Sequence, residues 1–241
     1  MLSMPEQAVW VRGRLSPGGV AALQGLFRGL FTLFADVEIR GYENLPPGGC
    51  LLCTNHLSRF DAPLGFVALG HRPLTAFAAD TYRSHWFFRS VAECVDVIWV
   101  RRGAIGPSTI KAAIQAINAG RMLGVAPEGT RSLTRALQAG RAGAAALALA
   151  TGAPIVPMVF TNTENLGAAM LRLRTPFRGR LPLTVTFGRP FQLPPVERHE
   201  RAARLEEYTT EIMCRLAALL PAEYRGVYAD HPRLIELLTT L

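Results

Sequence analysis

Three short apolar runs in this chain each break off into a polar island. "CLLCT" (50–54) runs into "NHLSRFD" (55–61), "VDVIWV" (95–100) into "RRG" (101–103), and "MLGVA" (122–126) into "PEGTRS" (127–132). Short, largely apolar runs of this length read as buried strands, the kind found in parallel sheets. In such sheets the loops beyond the carboxyl ends of the strands build the site, so three islands in equivalent places imply one shared pocket.

The rest of the chain agrees with that frame. "VEIRG" (37–41), "LTAFAA" (74–79), "APIVPMVF" (153–160) and "LPLTVTFG" (181–188) read as further strands. Helical spacing of apolar residues predicts helices over 18–36, 62–70, 82–93, 140–151 and 201–220. Another helix follows "RRGAIGP", with Ser108 as its expected cap and Ile110, Ala113, Ile114 and Ile117 as its apolar face. Alternating strands and helices predict an α/β fold, a mostly parallel or mixed central sheet flanked by helices. The expected organisation is an N-terminal amphipathic helical segment (1–36), a main domain (37–220) and a tail packed on the surface (221–241). In the N-terminal helix the apolar positions 23, 26, 27, 30, 31 and 34 make a wide greasy face, with only Gln24 and Arg28 on the polar side. Such a helix suits a membrane interface or ordinary packing on the domain.

Composition narrows the classes. With 241 residues and 49% apolar content the chain is long enough for a large core and is not disordered. The nearest approach to a spanning segment, 143–160, is broken by Gly152, Pro154 and Pro157, so a multi-span membrane protein is excluded. The N-terminus has no basic start followed by an apolar core, and four cysteines are too few for a disulfide scaffold, so reduced thiols in a cytoplasmic setting are expected. Net charge is +8, and Lys111 is the single lysine among 26 basic residues. A basic chain favours anionic partners: nucleic acid, anionic lipid, phosphorylated substrates or an acidic carrier protein. At 8% aromatics without basic–aromatic interleaving, nucleic acid is not expected.

Each island allows a chemical and a plain reading. His56 can take a proton near neutral pH, and Asp61 can fix its tautomer. On a regular helix five positions place two side chains about 140° apart, too far round to meet. A strand-to-helix turn removes that obstacle. From spacing alone, a loop histidine and a helix-capping aspartate are the favoured reading. Arg101 and Arg102 can grip a phosphate or simply be solvated. "PEGTRS" sets Glu128, Thr130 and Arg131 around Gly129, a plausible anion cradle. Neither a Walker loop nor G-x-G-x-x-G occurs. Cys50 and Cys53 lie three apart on a strand and so point to opposite faces, which argues against a zinc or redox pair.

Together the islands resemble the motifs of the glycerolipid acyltransferases, the 1-acylglycerol-3-phosphate acyltransferase family. "NHLSRFD" is similar to N-H-x-x-x-x-D, "VIWVRRG" to the second motif, "APEGTRS" to the third and "APIVPMVF" to the fourth, with "FGRPFQLP" (187–194) as the late glycine–proline strand. The match covers roughly 30–195, in order. The resemblance implies that His56 is the general base and Asp61 its partner. It implies that Arg102 and Arg101 bind the acceptor phosphate, that Glu128, Gly129, Thr130 and Arg131 complete the acceptor site, and that Pro157 lies near the acyl chain or core. Three positions depart from the pattern. Arg101 replaces a common acidic residue, Ala126 a common phenylalanine, and Arg141 stands where a lysine is usual.

The implied reaction moves a fatty acyl group from a thioester donor to the free hydroxyl of lysophosphatidic acid. A positioned base contributes roughly 100- to 10,000-fold to such a step. No cysteine lies in an island, so transfer is expected to be direct, with no metal or cofactor. The expected partners are a lysophospholipid and an acyl thioester, either acyl-CoA or acyl carrier protein. The expected location is the cytoplasmic face of a membrane, peripheral or monotopic. The basic run of Arg172, Arg174, Arg178, Arg180 and Arg189 would help seat it on an anionic leaflet. The alternatives are another acceptor (glycerol 3-phosphate, a different lysophospholipid or an acyl-amino-acid lipid) and a non-catalytic anionic-lipid-binding protein.

Overall fold

The structure, a computed structural model, describes residues 8–84, 96–100, 105–171, 180–197 and 199–240. Arg101, Arg102, Cys94, Arg172, Arg174, Arg178 and nearly all of the expected helix over 82–93 lie outside the described residues. Within them, eight strands form one sheet: β1 (Val9–Val11), β2 (Ala35–Arg40), β3 (Cys50–Thr54), β4 (Leu74–Ala79), β5 (Asp96–Val100), β6 (Met122–Val125), β7 (Ile155–Thr161) and β8 (Leu181–Phe187). Their order is β1-β5-β4-β6-β3-β7-β8-β2.

The five strands β5-β4-β6-β3-β7 run parallel, so their carboxyl ends share one edge. β1 is antiparallel to β5, β8 is antiparallel to β7, and β2 runs parallel to β8. β3 sits mid-sheet in register with both neighbours, Cys53 facing Val125 on one side and Pro157 on the other. Its side chains alternate, as the pleat requires. Cys50 and Leu52 enter one core with Phe31 and Leu64. Leu51 and Cys53 enter the other with Ala113 and Leu147. The apolar run "CLLC" is thus explained by burial on both faces.

Helices cover both cores. α1 (Pro17–Phe34) starts at Ser16, whose Oγ accepts from the Gly19 amide at 3.2 Å, with Pro17 in the first turn. It passes directly into β2, two residues before the expected strand start. Gln24, expected on the polar outer side, turns inward. Its Nε2 donates to the carbonyls of Phe66, at 3.0 Å, and Gly70 around the end of α2 (Asp61–Ala68). The apolar face is instead split. Phe31 is buried, while Leu26 and Leu33 are 69% and 71% exposed. In α3 (Pro107–Asn118) the expected cap is corrected: Gly106 is the N-cap, and Ser108 lies in the first turn, its Oγ accepting from the Ala8 amide at 3.2 Å. Pro107 supplies the start signal instead, since its missing N–H costs nothing there. α4 (Gly143–Thr151), α5 (Thr163–Leu171) and α6 (Arg201–Leu219) complete the layers, and α6 contributes to both cores.

Residues 221–240 pack more deeply than a surface tail. Tyr224, Tyr228 and Leu234 are buried, the last on α7 (Pro232–Thr239). The Leu137 amide donates to the Tyr224 carbonyl at 2.9 Å, and the Val227 amide donates back to Leu137 at 3.2 Å. Gly226 makes this possible. Its φ is +54°, and a Cβ there would stand 2.0 Å from the Leu137 oxygen. Arg233 closes the segment onto α6 through Glu211, with contacts of 2.6 and 3.0 Å.

Candidate active site

The two islands that fall within the described residues leave adjacent parallel strands, β3 and β6, at the shared carboxyl edge. β3 is prolonged by Asn55, which is buried. Its Nδ2 donates to the Phe160 carbonyl at 2.9 Å, and its Oδ1 accepts from the Phe160 amide at 2.8 Å. A side-chain amide has the same donor and acceptor as a peptide unit, so Asn55 extends the pairing with β7 while freeing its own backbone to turn.

The turn brings His56 onto Asp61. The imidazole Nδ1 lies 2.7 Å from Asp61 Oδ2, the direct contact that regular helix spacing forbids. Asp61 is the first residue of α2 and is 3% exposed. It does not cap the helix: Phe60 is the N-cap, without a side-chain bond. The Asp61 carboxylate faces backwards and accepts from the amides of Leu57 and Ser58 at 2.7 and 2.8 Å. Its second oxygen accepts from Ser58 Oγ at 3.2 Å and from Thr163 Oγ1 of α5. These donors hold the carboxylate as an acceptor, so in a neutral His56 imidazole the tautomer with the proton on Nδ1 fits this contact. The histidine side chain is 32% exposed, against 4% for Asp61. A histidine and a buried carboxylate in this arrangement can act as a base and its orienting partner.

The island after β6 clamps the histidine backbone. Glu128 is 2% exposed; one of its oxygens accepts from the His56 amide at 3.4 Å and the other from the Gln138 amide at 2.9 Å. Burial pushes its carboxyl above the usual range, and the two amides oppose that shift. Expected beside the acceptor, Glu128 stands between the two loops as a strut. The Ser132 amide donates to the His56 carbonyl at 2.8 Å from the other side. Gly129 holds φ +71°, with the Arg141 side chain laid across it: a Cβ would meet Arg141 Cδ at 3.0 Å. Gly129, Thr130, Arg131 and Arg141 form the exposed crest of this loop, and Arg59 is exposed on the His56 turn. Pro157 belongs to the core, since β7 is buried from Ile155 through Phe160.

Asn55, Ser58, Ser132 and Thr163 have structural roles here that the sequence reading did not assign. The first three sit inside or beside the motifs. Thr163 has no local signal, because it meets Asp61 across 102 positions. The described cysteines stay apart from the site. Burial pushes the thiols of Cys50 and Cys53 up to about 12 and that of Cys214 to about 11, so all three are protonated at neutral pH. Two hollows occur near the sheet edge. One, of about 400 Å³, lies between α1 and β2, and one, of about 340 Å³, is lined by Arg135, Asn162, Glu164 and Tyr224. Neither is lined by His56 or Asp61.

A 1-acyl-sn-glycerol-3-phosphate acyltransferase of Borreliella burgdorferi is 30% identical over 133 residues, 54% of this chain and 52% of its own length. A probable 1-acyl-sn-glycerol-3-phosphate acyltransferase of Mycoplasma pneumoniae is 29% identical over 151 residues, 60% of this chain and 56% of its own. The chain thus spans about half the length of the curated relatives it matches. The crystal structure of the 1-acyl-sn-glycerophosphate acyltransferase PlsC of Thermotoga maritima has the same fold, with a TM-score of 0.53 and 23% identity over 79% of this chain and 76% of that one. The family model described as Acyltransferase matches residues 36–161, a span that runs from β2 to the end of β7 and contains His56, Asp61 and Glu128. With over half of its length inside that model, this chain belongs to the acyltransferase family.

Proposed function

We propose that this protein transfers a fatty acyl group from a thioester to the free hydroxyl of 1-acylglycerol 3-phosphate, giving phosphatidic acid. The observation that carries the reading is the His56–Asp61 contact at the carboxyl edge of the sheet. The names of the curated relatives support the acceptor.

In the proposed reaction His56 Nε2 takes the acceptor hydroxyl proton as the oxygen attacks the thioester carbonyl. The new C–O bond forms, the carbonyl electrons move to oxygen, and the imidazolium is stabilised by Asp61. Collapse restores the carbonyl, breaks the C–S bond and expels the thiol of coenzyme A or acyl carrier protein, which takes the proton from His56. Arg131 and Arg141 on the loop crest, with Arg101 and Arg102, hold the acceptor phosphate and so bring its hydroxyl into reach. No cofactor or metal enters these steps.

The acceptor is a lipid, and α1 supports access to it. Leu26, Leu30 and Leu33 are exposed on that helix. Leaving each in water forgoes roughly 1.5–3 kcal/mol relative to burial. Among the described residues no helix is long and apolar enough to cross a membrane. The reading is therefore a peripheral or monotopic seat on an anionic membrane surface.

The test is thiol release from acyl-CoA and from acyl carrier protein, with lysophosphatidic acid, other lysophospholipids and glycerol 3-phosphate as acceptors. His56→Ala is expected to lower turnover by about 100-fold or more without unfolding the protein. A folded His56→Ala variant of full activity would overturn the reading. Binding of anionic vesicles without turnover would favour a non-catalytic lipid-binding protein, and faster turnover of another acceptor would replace the lysophosphatidic acid assignment.

A further inference from the structure

Asp61 is held to His56 by one turn of local chain, with a single side-chain donor from elsewhere among the described residues. The Leu57 and Ser58 amides and the Ser58 hydroxyl all come from within four residues. Thr163 Oγ1 comes from the opposite side of the site, at the start of α5. A carboxylate rotates readily about its last bond, because that torsion is broad. The local amides grip Oδ2, the oxygen that also faces the imidazole. Among the described residues Oδ1 has only the Ser58 hydroxyl, at 3.2 Å, and Thr163.

Thr163 is itself fixed. It is 0% exposed. The preceding Asn162 holds φ +66°, a left-handed conformation that asparagine adopts more readily than other side-chain-bearing residues. Its amide donates to the Tyr224 hydroxyl at 3.2 Å, and its Nδ2 donates to the Pro182 carbonyl at 3.0 Å. The Tyr224 hydroxyl donates onward to Glu164 Oε1 at 2.9 Å. Neighbours on both sides of Thr163 are therefore pinned by the C-terminal segment.

We propose that Thr163 is a positioning residue for the His56–Asp61 pair: its hydroxyl fixes the plane of the Asp61 carboxylate, and so the direction of His56 Nε2. The proposal rests on His56 as the base. It assigns a part in catalysis to a residue outside the histidine–aspartate island, and through Asn162 and Tyr224 it ties the site to residues 221–240.

Thr163→Val removes the hydroxyl at nearly constant volume, and Thr163→Ser restores it. With acyl-CoA and the acceptor that the wild-type protein turns over fastest, the valine variant is expected to lose about tenfold in kcat, the scale of one hydrogen bond, with KM changed less than about twofold. The serine variant is expected to recover to within about threefold of wild type. Thr163→Ala gives the same reading where the valine variant folds poorly. Independently of turnover, the downfield proton resonance of His56 Nδ1–H, identified by its loss in His56→Ala, is expected to broaden in the valine variant and sharpen again with serine. A folded valine or alanine variant with wild-type kcat and an unchanged resonance overturns the proposal, as does failure of serine to rescue. A fully active His56→Ala variant overturns the base assignment and this proposal together. Loss of activity in His56→Ala with wild-type behaviour of Thr163→Val overturns this proposal alone.

Discussion

A buried carboxylate needs donors, and Glu128 has two backbone amides but no cation within bonding distance among the described residues. Burial raises its carboxyl above its value of 4.5 in the free chain. A group whose folded value is raised contributes stability that is complete below the unfolded value and is lost as pH rises through the folded value. Glu128 therefore costs stability as pH rises above about 4.5. Glu128→Gln cannot titrate, but it offers only one acceptor to two amides, a deficit of about 1–3 kcal/mol. That deficit, measured by denaturant unfolding, is expected to shrink as pH rises from about 4 to 7. A deficit that grows over the same range would show that the carboxylate is not destabilised in the fold. The residue types of this strut were visible in "APEGTRS", and its job was not. A glutamate beside glycine and arginine reads as a ligand-facing acid until the chain is folded and both oxygens are found turned onto backbone.

At the scale of elements, the loops of β3 and β6 become one site because their strands are neighbours, and Asn55 ties the first loop to β7 as well. Asn55→Ala would strand the Phe160 N–H and C=O without partners in the core. A loss of about 2–4 kcal/mol in stability is expected from two unpaired buried groups, read by denaturant unfolding. A loss under about 0.5 kcal/mol would mean that water or a backbone shift takes over both bonds. Strand positions were largely legible, since β3, β4, β5 and β6 lie within one residue of the apolar runs that announced them. Helix starts were less so. Ser108 has the chemistry of a cap, yet Pro107 begins α3 one residue earlier, and the serine hydroxyl serves the Ala8 amide instead. Capping potential is a property of the residue, whereas its use depends on which unsatisfied amide the fold brings near.

At the scale of the whole molecule, the charge of +8 and the leucines of α1 are the features on which the proposed seat on an anionic, apolar surface rests. Replacing Leu26 and Leu33 with glutamate removes apolar contact and adds repulsion. Co-sedimentation with vesicles containing phosphatidic acid or phosphatidylglycerol is expected to weaken by about tenfold or more, and wild-type binding to fall as salt rises. Unchanged binding by the double variant would place the membrane contact elsewhere. The sequence by itself determined the α/β class and the places of seven of the eight described strands, all but β1, because burial in the sheet restricts which residue types can stand there. Only the tertiary structure decided that Gln24 turns inward while leucines face out, that residues 221–240 enter the core, and that Thr163 reaches Asp61. Those outcomes depend on contacts between segments tens to hundreds of positions apart, where the pairing is chosen by the shape of the packed sheet and leaves no local pattern in either segment.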